Sequence, residues 1–211
     1  VSIVAATGNR HKVREFRQIV APLGIEVLGA DEAGPLPVVE EDGDSFEENA
    51  RKKAVETARA LGRTALADDS GLEVDALDGA PGIRSARFAG EAAGDADNVK
   101  KLLSLLSGVR ERSARFRCVL ALADASGGVR TVSGSVEGRI IHAPRGGGGF
   151  GYDPVFVPEG YERTFAELPA DVKNRISHRA RALRKAVSTG FFTGIEDTPD
   201  PGDEGQSHRS Q

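Results

Sequence analysis

The sequence Thr64-Ala65-Leu66-Ala67-Asp68-Asp69-Ser70-Gly71 joins a short apolar run with strand character to two carboxylates, a hydroxyl and a glycine. Open α/β sheets bind ligands in the crevice beyond the carboxyl ends of their strands, so a strand that ends in acids predicts a site there. Adjacent carboxylates repel each other unless a cation or a proton lies between them. We therefore expect Asp68 and Asp69 to be Mg²⁺ ligands, or to include a base with a raised pKa.

Length and composition predict a globular chain with one substantial domain or a bilobed one. The 211 residues are 39% hydrophobic and 28% charged, which suits a buried core and a polar surface. The net charge of -4 argues against binding to a nucleic-acid backbone, so an anionic ligand requires a local cluster of cations. Cys118 is the only cysteine, which excludes an intramolecular disulfide and fits a core position in a reducing cytoplasm.

The sequence also lacks the marks of a membrane or secreted protein. No run approaches the roughly 20 apolar residues of a membrane span. The first residues lack the basic and then apolar pattern of a signal peptide. We expect a cytoplasmic protein that binds neither membranes nor nucleic acid.

Strand and helix patterns alternate along the chain before a block of consecutive strands. The patterns predict helices at 12–20, 45–61, 98–106 and 177–187, and strands at 2–7, 25–28, 64–67, 72–77, 114–123, 129–135 and 136–141. Ser45 and Glu48 form a capping box at the start of the second helix, and Gly62 ends it. The order predicts an α/β fold with a mixed sheet over residues 1–188, and a disordered tail over 189–211.

A strand-to-helix turn near the start of the chain is a candidate phosphate site. Free backbone N–H groups and the helix dipole attract anions at such a turn, and Lys12 adds a positive charge. The Walker pattern G-x-x-x-x-G-K-[ST] is absent, so an ordinary capped helix start stays an alternative. The turn consists of Thr7, Gly8, Asn9, Arg10, His11 and Lys12.

The capped helix carries an amide and an ammonium within a stripe of small and apolar residues. Asn49 and Lys53 share this face by their three-and-four spacing with Phe46, Ala50 and Ala54. Either Lys53 extends to solvent, or both side chains point into a polar cleft. The acidic loop 40–42 just before the helix is a solvated face unless Asp68 and Asp69 lie nearby.

Two further clusters lie in the second half of the chain. Phe150 follows a run of four glycines, and its ring either stacks on a flat ligand or belongs to the core. Lys173, His178 and Arg179 lie near the start of a basic amphipathic helix. Such a helix is either a solvated face or presents donors to a base edge.

Seven motifs in this order resemble the inosine triphosphate pyrophosphatase family, and the resemblance spans residues 2 to about 187. The motifs are Thr7 to Lys12, Ser45 to Ala50, Ala67 to Leu72, Gly79 to Gly82 with Ser85 to Arg87, Phe150 to Pro154, Thr164 to Leu168, and Ser177 to Arg179.

The resemblance implies a homodimeric, Mg²⁺-dependent house-cleaning hydrolase that converts dITP, ITP and XTP to the monophosphate and pyrophosphate. It implies an elongated α/β fold with a long mixed sheet and two lobes that flank the cleft. The implied roles are phosphate binding by Thr7 to Lys12, metal binding by Glu41 and Asp69, general-base catalysis by Asp69, and substrate contact by Ser70. Phe150, Gly151, Tyr152 and Asp153 would form the wall at the base, with recognition completed by Lys173, His178 and Arg179.

The chemistry of the residues agrees with that resemblance. A triphosphate requires converging cations, for which Lys12, Lys53, Lys173 and Arg179 are candidates. Water can be the nucleophile, oriented or deprotonated by a carboxylate. Neighbouring strand side chains face opposite ways, so Asp68 and Asp69 are expected to differ in role, Asp68 being a supporting or metal-linked group.

Selectivity is expected to depend on the keto oxygen at purine position 6, which accepts hydrogen bonds where the amino group of adenine donates them. Two alternatives stay open. One is a pyrophosphatase for pyrimidine or modified nucleotides, and the other is a non-catalytic module that binds nucleotides or RNA. The G-x5-E-x7-R-E-x2-E-E helix of Nudix hydrolases is absent.

Overall fold

A curled mixed sheet forms the centre of the structure, a computed structural model that describes residues 1–195. Its strands within this range are β1 (Ser2–Ala5), β2 (Glu26–Leu28), β3 (Ala65–Val74), β4 (Ser113–Ala123), β5 (Val129–Ile140) and β6 (Phe156–Pro158). Their spatial order is β2-β1-β3-β4-β5-β6. β1 is parallel to β2 and β3, and the remaining neighbours are antiparallel. The predicted mixed sheet in an α/β fold is confirmed.

Helices cover both faces of this sheet. They are α1 (Arg10–Val20), α2 (Ala30–Ala33), α3 (Phe46–Leu61), α4 (Asp95–Leu105), α5 (Ala170–Ile176) and α6 (His178–Ser188). α1 and α6 pack on the face that carries Leu66, Cys118 and Leu120. On the opposite face, alanines of α3 pack on alanines of β3 and β4. Small side chains on both partners therefore let α3 lie close to the strand that carries Asp69.

A third cluster of buried residues fills the other end of the sheet. Leu72 of β3 and Leu102 of α4 both belong to it, and Phe116 of β4 contacts the rings of Phe156 and Phe165. The ring centroids of Phe116 and Phe156 lie 4.7 Å apart in an edge-to-face arrangement, which is a favourable aromatic geometry. Buried apolar residues therefore lie on both sides of the two acids along β3, at Leu66 and Ala67 before them and at Leu72 and Val74 after them.

Two predicted strand breaks are wrong because glycines permit close packing there instead of turns. β3 runs on through Asp69 to Val74, since a Cβ on Gly71 would lie 2.4 Å from the carbonyl oxygen of Gly82. β5 is one strand where two were predicted, and a Cβ on Gly134 would lie 2.3 Å from the backbone of Ala182 in α6. Each glycine therefore marks a close approach of another segment.

The ends of several elements also differ from the prediction. The short helices α2 and α5 were not predicted. Ser45 accepts a hydrogen bond from the amide of Glu48, but the Glu48 carboxylate accepts from the amide of Asp44, so only half of the capping box forms.

The packed part of the chain extends beyond the predicted domain end at residue 188. Phe191 and Phe192 are buried against the core, and their rings meet edge-to-face at 5.1 Å. The predicted tail of residues 189–211 therefore begins too early, and its residues 196–211 lie outside the described part of the chain. Within residues 1–195, none of the helices has the length and apolar character that a bilayer crossing needs.

Candidate functional site

The edge of the sheet at the end of β1 positions the site. Ala5 pairs with Leu66, and the amide of Ala6 donates to the Leu66 carbonyl at 2.8 Å. β1 then turns into α1 while β3 continues, so Asp68 lies beside the strand-to-helix turn. The carboxyl end of a strand does lie beside Asp68, but the strand that ends there is β1. Asp68 and Asp69 lie in the middle of β3, which corrects the predicted strand end.

The turn before α1 is capped by its own side chains. Asn9 Oδ1 accepts from the amides of His11 (2.9 Å) and Lys12 (3.4 Å), and Thr7 Oγ1 accepts from the amide of Asn9 (3.2 Å). Within residues 1–195 the amides of Gly8 and Arg10 have no hydrogen-bond partner. The turn is thus a capped helix start that leaves two N–H groups for an anion at the end of an 11-residue helix.

On one face of β3, the Asp68 carboxylate forms ion pairs with two cations. Lys12 Nζ lies 2.9 Å from Oδ1, and the Arg179 guanidinium donates to Oδ2 from Nε and Nη2, both at 3.2 Å. Arg179 also donates to Ser70 Oγ at 3.3 Å and to Glu15 Oε2 at 2.5 Å. Burial raises the pKa of Asp68, but Lys12, Arg179 and Lys53 outweigh this and hold it well below the usual range. Asp68 is therefore ionised, and each of its two oxygens lies against a cation.

The arginine of this cluster is as deeply buried as its acid. Arg179 is 2% exposed. Burial lowers its pKa, but Asp68 and Glu15 outweigh that effect and keep the pKa raised. Arg179 was predicted to recognise the base, and the structure shows most of its N–H groups already engaged by protein acceptors.

On the opposite face of β3, Asp69 meets the polar stripe of α3. Asn49 Nδ2 donates to Asp69 Oδ2 at 3.2 Å, and Lys53 Nζ lies 3.3 Å from Oδ1. The same ammonium donates to Glu41 Oε1 at 2.9 Å. Asn49 and Lys53 therefore point into a polar cluster, which decides between the two interpretations of this stripe, and Lys53 links the two acids.

Backbone contacts hold the loop that carries Glu41. The Asn49 side chain accepts from the amide of Gly43 at 2.9 Å, and Arg87 donates to the carbonyl oxygen of Glu41 at 3.1 Å. Asp42 instead pairs with Lys52 at 2.6 Å and is exposed. Within the described residues, Glu41 is therefore the acid of this loop that shares a cation with Asp69.

The pKa values of Asp69 and Lys53 are both raised, but for different reasons. Burial raises the pKa of Asp69; the negative charges of Glu41 and Asp68 add to this, and Lys53 and Asn49 oppose it. Burial lowers the pKa of Lys53, but Asp69, Asp68 and Glu41 outweigh it. Lys53 therefore stays protonated, and Asp69 is a stronger base than an exposed aspartate.

Glu41 and Asp69 are two carboxylates that could hold a divalent cation as a pair. Among residues 1–195, no group of three or more His, Cys, Asp or Glu side chains could hold a metal ion. The two carboxylates already converge on one positive charge, the Lys53 ammonium. Mg²⁺ is commonly held by one or two carboxylates together with water and substrate phosphates, so a pair of this kind is chemically compatible with Mg²⁺.

The glycine-rich loop carries the ring of Phe150, which Asp153 and Lys173 hold in place. Asp153 Oδ2 accepts from the amide of Phe150 at 2.8 Å and from Lys173 Nζ at 2.5 Å. The ammonium of Lys173 also lies 4.8 Å from the centre of the Phe150 ring. Phe150 is 39% exposed and so is not a core residue. Gly151 donates to Asp95, and the buried Tyr152 donates to the carbonyl of Ser85, so both anchor the loop.

His178 is buried at the start of α6 rather than free there. Its ring stacks on Phe116 with centroids 4.9 Å apart, and Nδ1 has no hydrogen-bond partner within the described chain. Burial, with Arg179 and Lys173, lowers the pKa of His178 well below its usual value. His178 is therefore neutral at physiological pH.

Sequence reasoning missed Glu15 and Arg87 as parts of this site. Glu15 follows Lys12 by three residues on α1, and its spacing alone places the two side chains on one face. That spacing was a usable signal. No comparable local signal links Arg87 to the carbonyl oxygen of Glu41.

Comparisons with known proteins agree with this arrangement. The model of the Ham1 family matches residues 3–189. The dITP/XTP pyrophosphatase of Desulforamulus reducens is 52% identical over 189 residues, which is 89% of this chain and 94% of that protein. The Ham1 protein structure from Staphylococcus aureus has a TM-score of 0.82 at 40% identity, and covers 93% of this chain and 100% of its own. That from Coxiella burnetii has a TM-score of 0.83 at 41% identity, with 91% and 98% covered.

Proposed function

This chain belongs to the Ham1 family, and we propose on that premise that it is a dITP/XTP pyrophosphatase. It hydrolyses deaminated purine nucleoside triphosphates to the monophosphate and pyrophosphate and so cleanses the nucleotide pool. The observation that carries this proposal is the Glu41–Lys53–Asp69 cluster, which lies across β3 from the Lys12–Asp68–Arg179 cluster.

Charge explains how an anionic chain holds a triphosphate. The free amides of Gly8 and Arg10 and the ammonium of Lys12 lie at the start of α1, where the helix dipole favours anions. Lys12 is already paired with Asp68, so a bound phosphate shares its charge with that acid. The phosphates accordingly bind at Thr7 to Lys12, with Ser70 beside them.

The metal in this proposal is Mg²⁺, held by Glu41 and Asp69. When bound, it neutralises phosphate charge and polarises the phosphoryl oxygens. The support for it is the convergence of both carboxylates on a single cation position. Lys53 holds the two acids in place and adds a fixed positive charge next to the phosphates.

Asp69 is the general base of the reaction. Its burial raises its pKa, and its two oxygens are oriented by Asn49 and Lys53, so it can accept a proton from an attacking water. No cysteine or serine nucleophile is needed, because the transfer of a phosphoryl group depends mainly on positioning and charge stabilisation.

The base binds between the start of α1 and the glycine-rich loop, against the exposed ring of Phe150. Lys173, His178 and Arg179 complete this end of the site. Because His178 is buried and most N–H groups of Arg179 are engaged by protein acceptors, backbone N–H groups at this end pair with the 6-keto oxygen of hypoxanthine and xanthine and oppose the amino group of adenine. The same proposal includes two lobes around the cleft, a homodimer and a cytoplasmic location.

Pyrophosphate release from ITP, dITP, XTP, GTP and ATP, each with and without Mg²⁺, tests the proposal. We expect turnover of the first three, much weaker turnover of ATP, and loss of turnover when EDTA replaces Mg²⁺. A preference for pyrimidine or other modified nucleotides would favour the alternative pyrophosphatase. Nucleotide binding without pyrophosphate release would favour the non-catalytic module.

A further inference from the structure

The imidazole of His11 lies opposite the ring of Phe150, across the place where the base is proposed to bind. The two ring centroids are 6.4 Å apart, and the ring planes are inclined by only 28°. His11 is an exposed residue in the first turn of α1, and Phe150 is partly exposed in the loop before β6. Two accessible aromatic faces from distant parts of the chain are therefore nearly parallel.

His11 has no role in holding its own turn together beyond its backbone. Its amide is already bound to Asn9 Oδ1 at 2.9 Å and is thus withdrawn from phosphate binding. Within residues 1–195 the imidazole forms no hydrogen bond or ion pair, and its one described partner is the Phe150 ring. The side chain is consequently free to meet a ligand.

The spacing of the two rings is close to that of a three-layer stack. Stacked bases in DNA lie about 3.4 Å apart, so a flat ring between two others needs roughly 6.8 Å between the outer rings. We propose that His11 and Phe150 are opposite walls of a slot that takes the purine ring. His11 then contacts the base instead of the phosphates, and this inference rests on the proposed function.

The Phe150 wall is fixed in advance. Its amide and the Lys173 ammonium both bind Asp153 Oδ2, and the ammonium lies against the ring. A wall that is already ordered loses little conformational freedom when a base stacks on it. The His11 wall is at the start of a helix whose cap is complete, so opening the slot by a few tenths of an ångström needs only a side-chain movement.

The test separates the base from the phosphates by comparing two ligands. We would measure KM for ITP and the inhibition constant of inorganic tripolyphosphate, which has no base, for the variants His11→Ala and His11→Phe. Arg14→Ala, an exposed substitution one turn further along α1, is the matched control. We expect His11→Ala to raise KM by about fivefold or more, as the loss of one stacking partner predicts. His11→Phe should stay within about twofold of wild type, and tripolyphosphate inhibition should not change in any variant.

Three results would overturn the proposal. An equal rise in the tripolyphosphate constant would return His11 to the phosphates. A lower KM in His11→Ala would mean that the imidazole only covers Phe150. An unchanged KM would remove His11 from the site.

Failure of the proposed function is a separate outcome. Wild-type protein that releases no pyrophosphate from any nucleotide would refute the function alone. Equilibrium binding of ITP and tripolyphosphate to the same variants would then test the slot with the same expected differences.

Discussion

Replacing Asp68 with asparagine should lower the unfolding free energy far more than replacing an exposed acid does. Asp68 is 2% exposed and pairs with Lys12 at 2.9 Å and with Arg179 at 3.2 Å. Removing one partner of a buried ion pair leaves an uncompensated charge and costs about 3 to 5 kcal/mol. Arg179 would keep only Glu15 and Ser70 as acceptors. We therefore expect Asp68→Asn to lose about 3 to 5 kcal/mol of unfolding free energy.

Asp31→Asn is the matched control, because it breaks an aspartate–arginine pair of 2.9 Å in which both side chains are more than three-quarters exposed. Exposed pairs are screened by solvent, and this change should cost less than about 1 kcal/mol. Urea unfolding followed by circular dichroism measures both, since the chain contains no tryptophan for fluorescence. Equal losses in the two variants would refute the reasoning.

The pH dependence of the same pair gives a second check. The pKa of Asp68 is lower in the folded than in the unfolded state, so its stabilisation is complete above about pH 4, the usual aspartate range, and declines as pH falls. The unfolding free energies of wild type and Asp68→Asn should therefore converge as the pH is lowered from 5 towards 2. A constant difference over that range would contradict the ion-pair explanation.

Three further changes test other parts of the structure. Phe150→Ala should raise KM for ITP without changing the stability, because it removes one stacking contact that contributes roughly 1 to 3 kcal/mol to binding. Reduced stability at an unchanged KM would make Phe150 a structural residue. The pKa of His178 is lowered in the folded state, so this group should cost wild type up to about 1.4 kcal/mol of stability per pH unit below pH 6.5. His178→Gln should make the stability measured by urea unfolding depend less on pH, and an equal dependence in both proteins would contradict this expectation. Phe191→Ala should cost about 3 kcal/mol in the same assay because the ring is buried, whereas a tail that begins at residue 189 would predict no loss.

The sequence predicted the sheet class and gave the polar cluster on α3 as one of two interpretations, because both follow local rules. The three-and-four spacing places Asn49 and Lys53 on one face of a helix, and the cap at Ser45 fixes where that helix begins. The alternation of strand residues predicted that Asp68 and Asp69 differ, and each indeed meets a different set of partners.

The misplaced boundaries depended on contacts between distant segments. Breaks were predicted near Gly71 and Gly134, because a glycine in a strand pattern marks either a turn or a close approach, and only the packed segment distinguishes the two. Burial of Phe191 and Phe192 likewise depends on α6 returning to the core. Arg179 looked free in the sequence because its partners Asp68 and Glu15 lie more than a hundred residues away.

Pyrophosphate release by Asp69→Asn at saturating XTP and Mg²⁺ tests most directly which of the two acids performs the chemistry. We expect a fall of roughly 10²-fold or more in turnover, as for the loss of a general base or metal ligand. The loss of unfolding free energy should be much smaller than in Asp68→Asn, because burial disfavours the charge of Asp69 and Lys53 keeps Glu41 as its partner. Turnover close to wild type in a folded Asp69→Asn protein would contradict the expected fall.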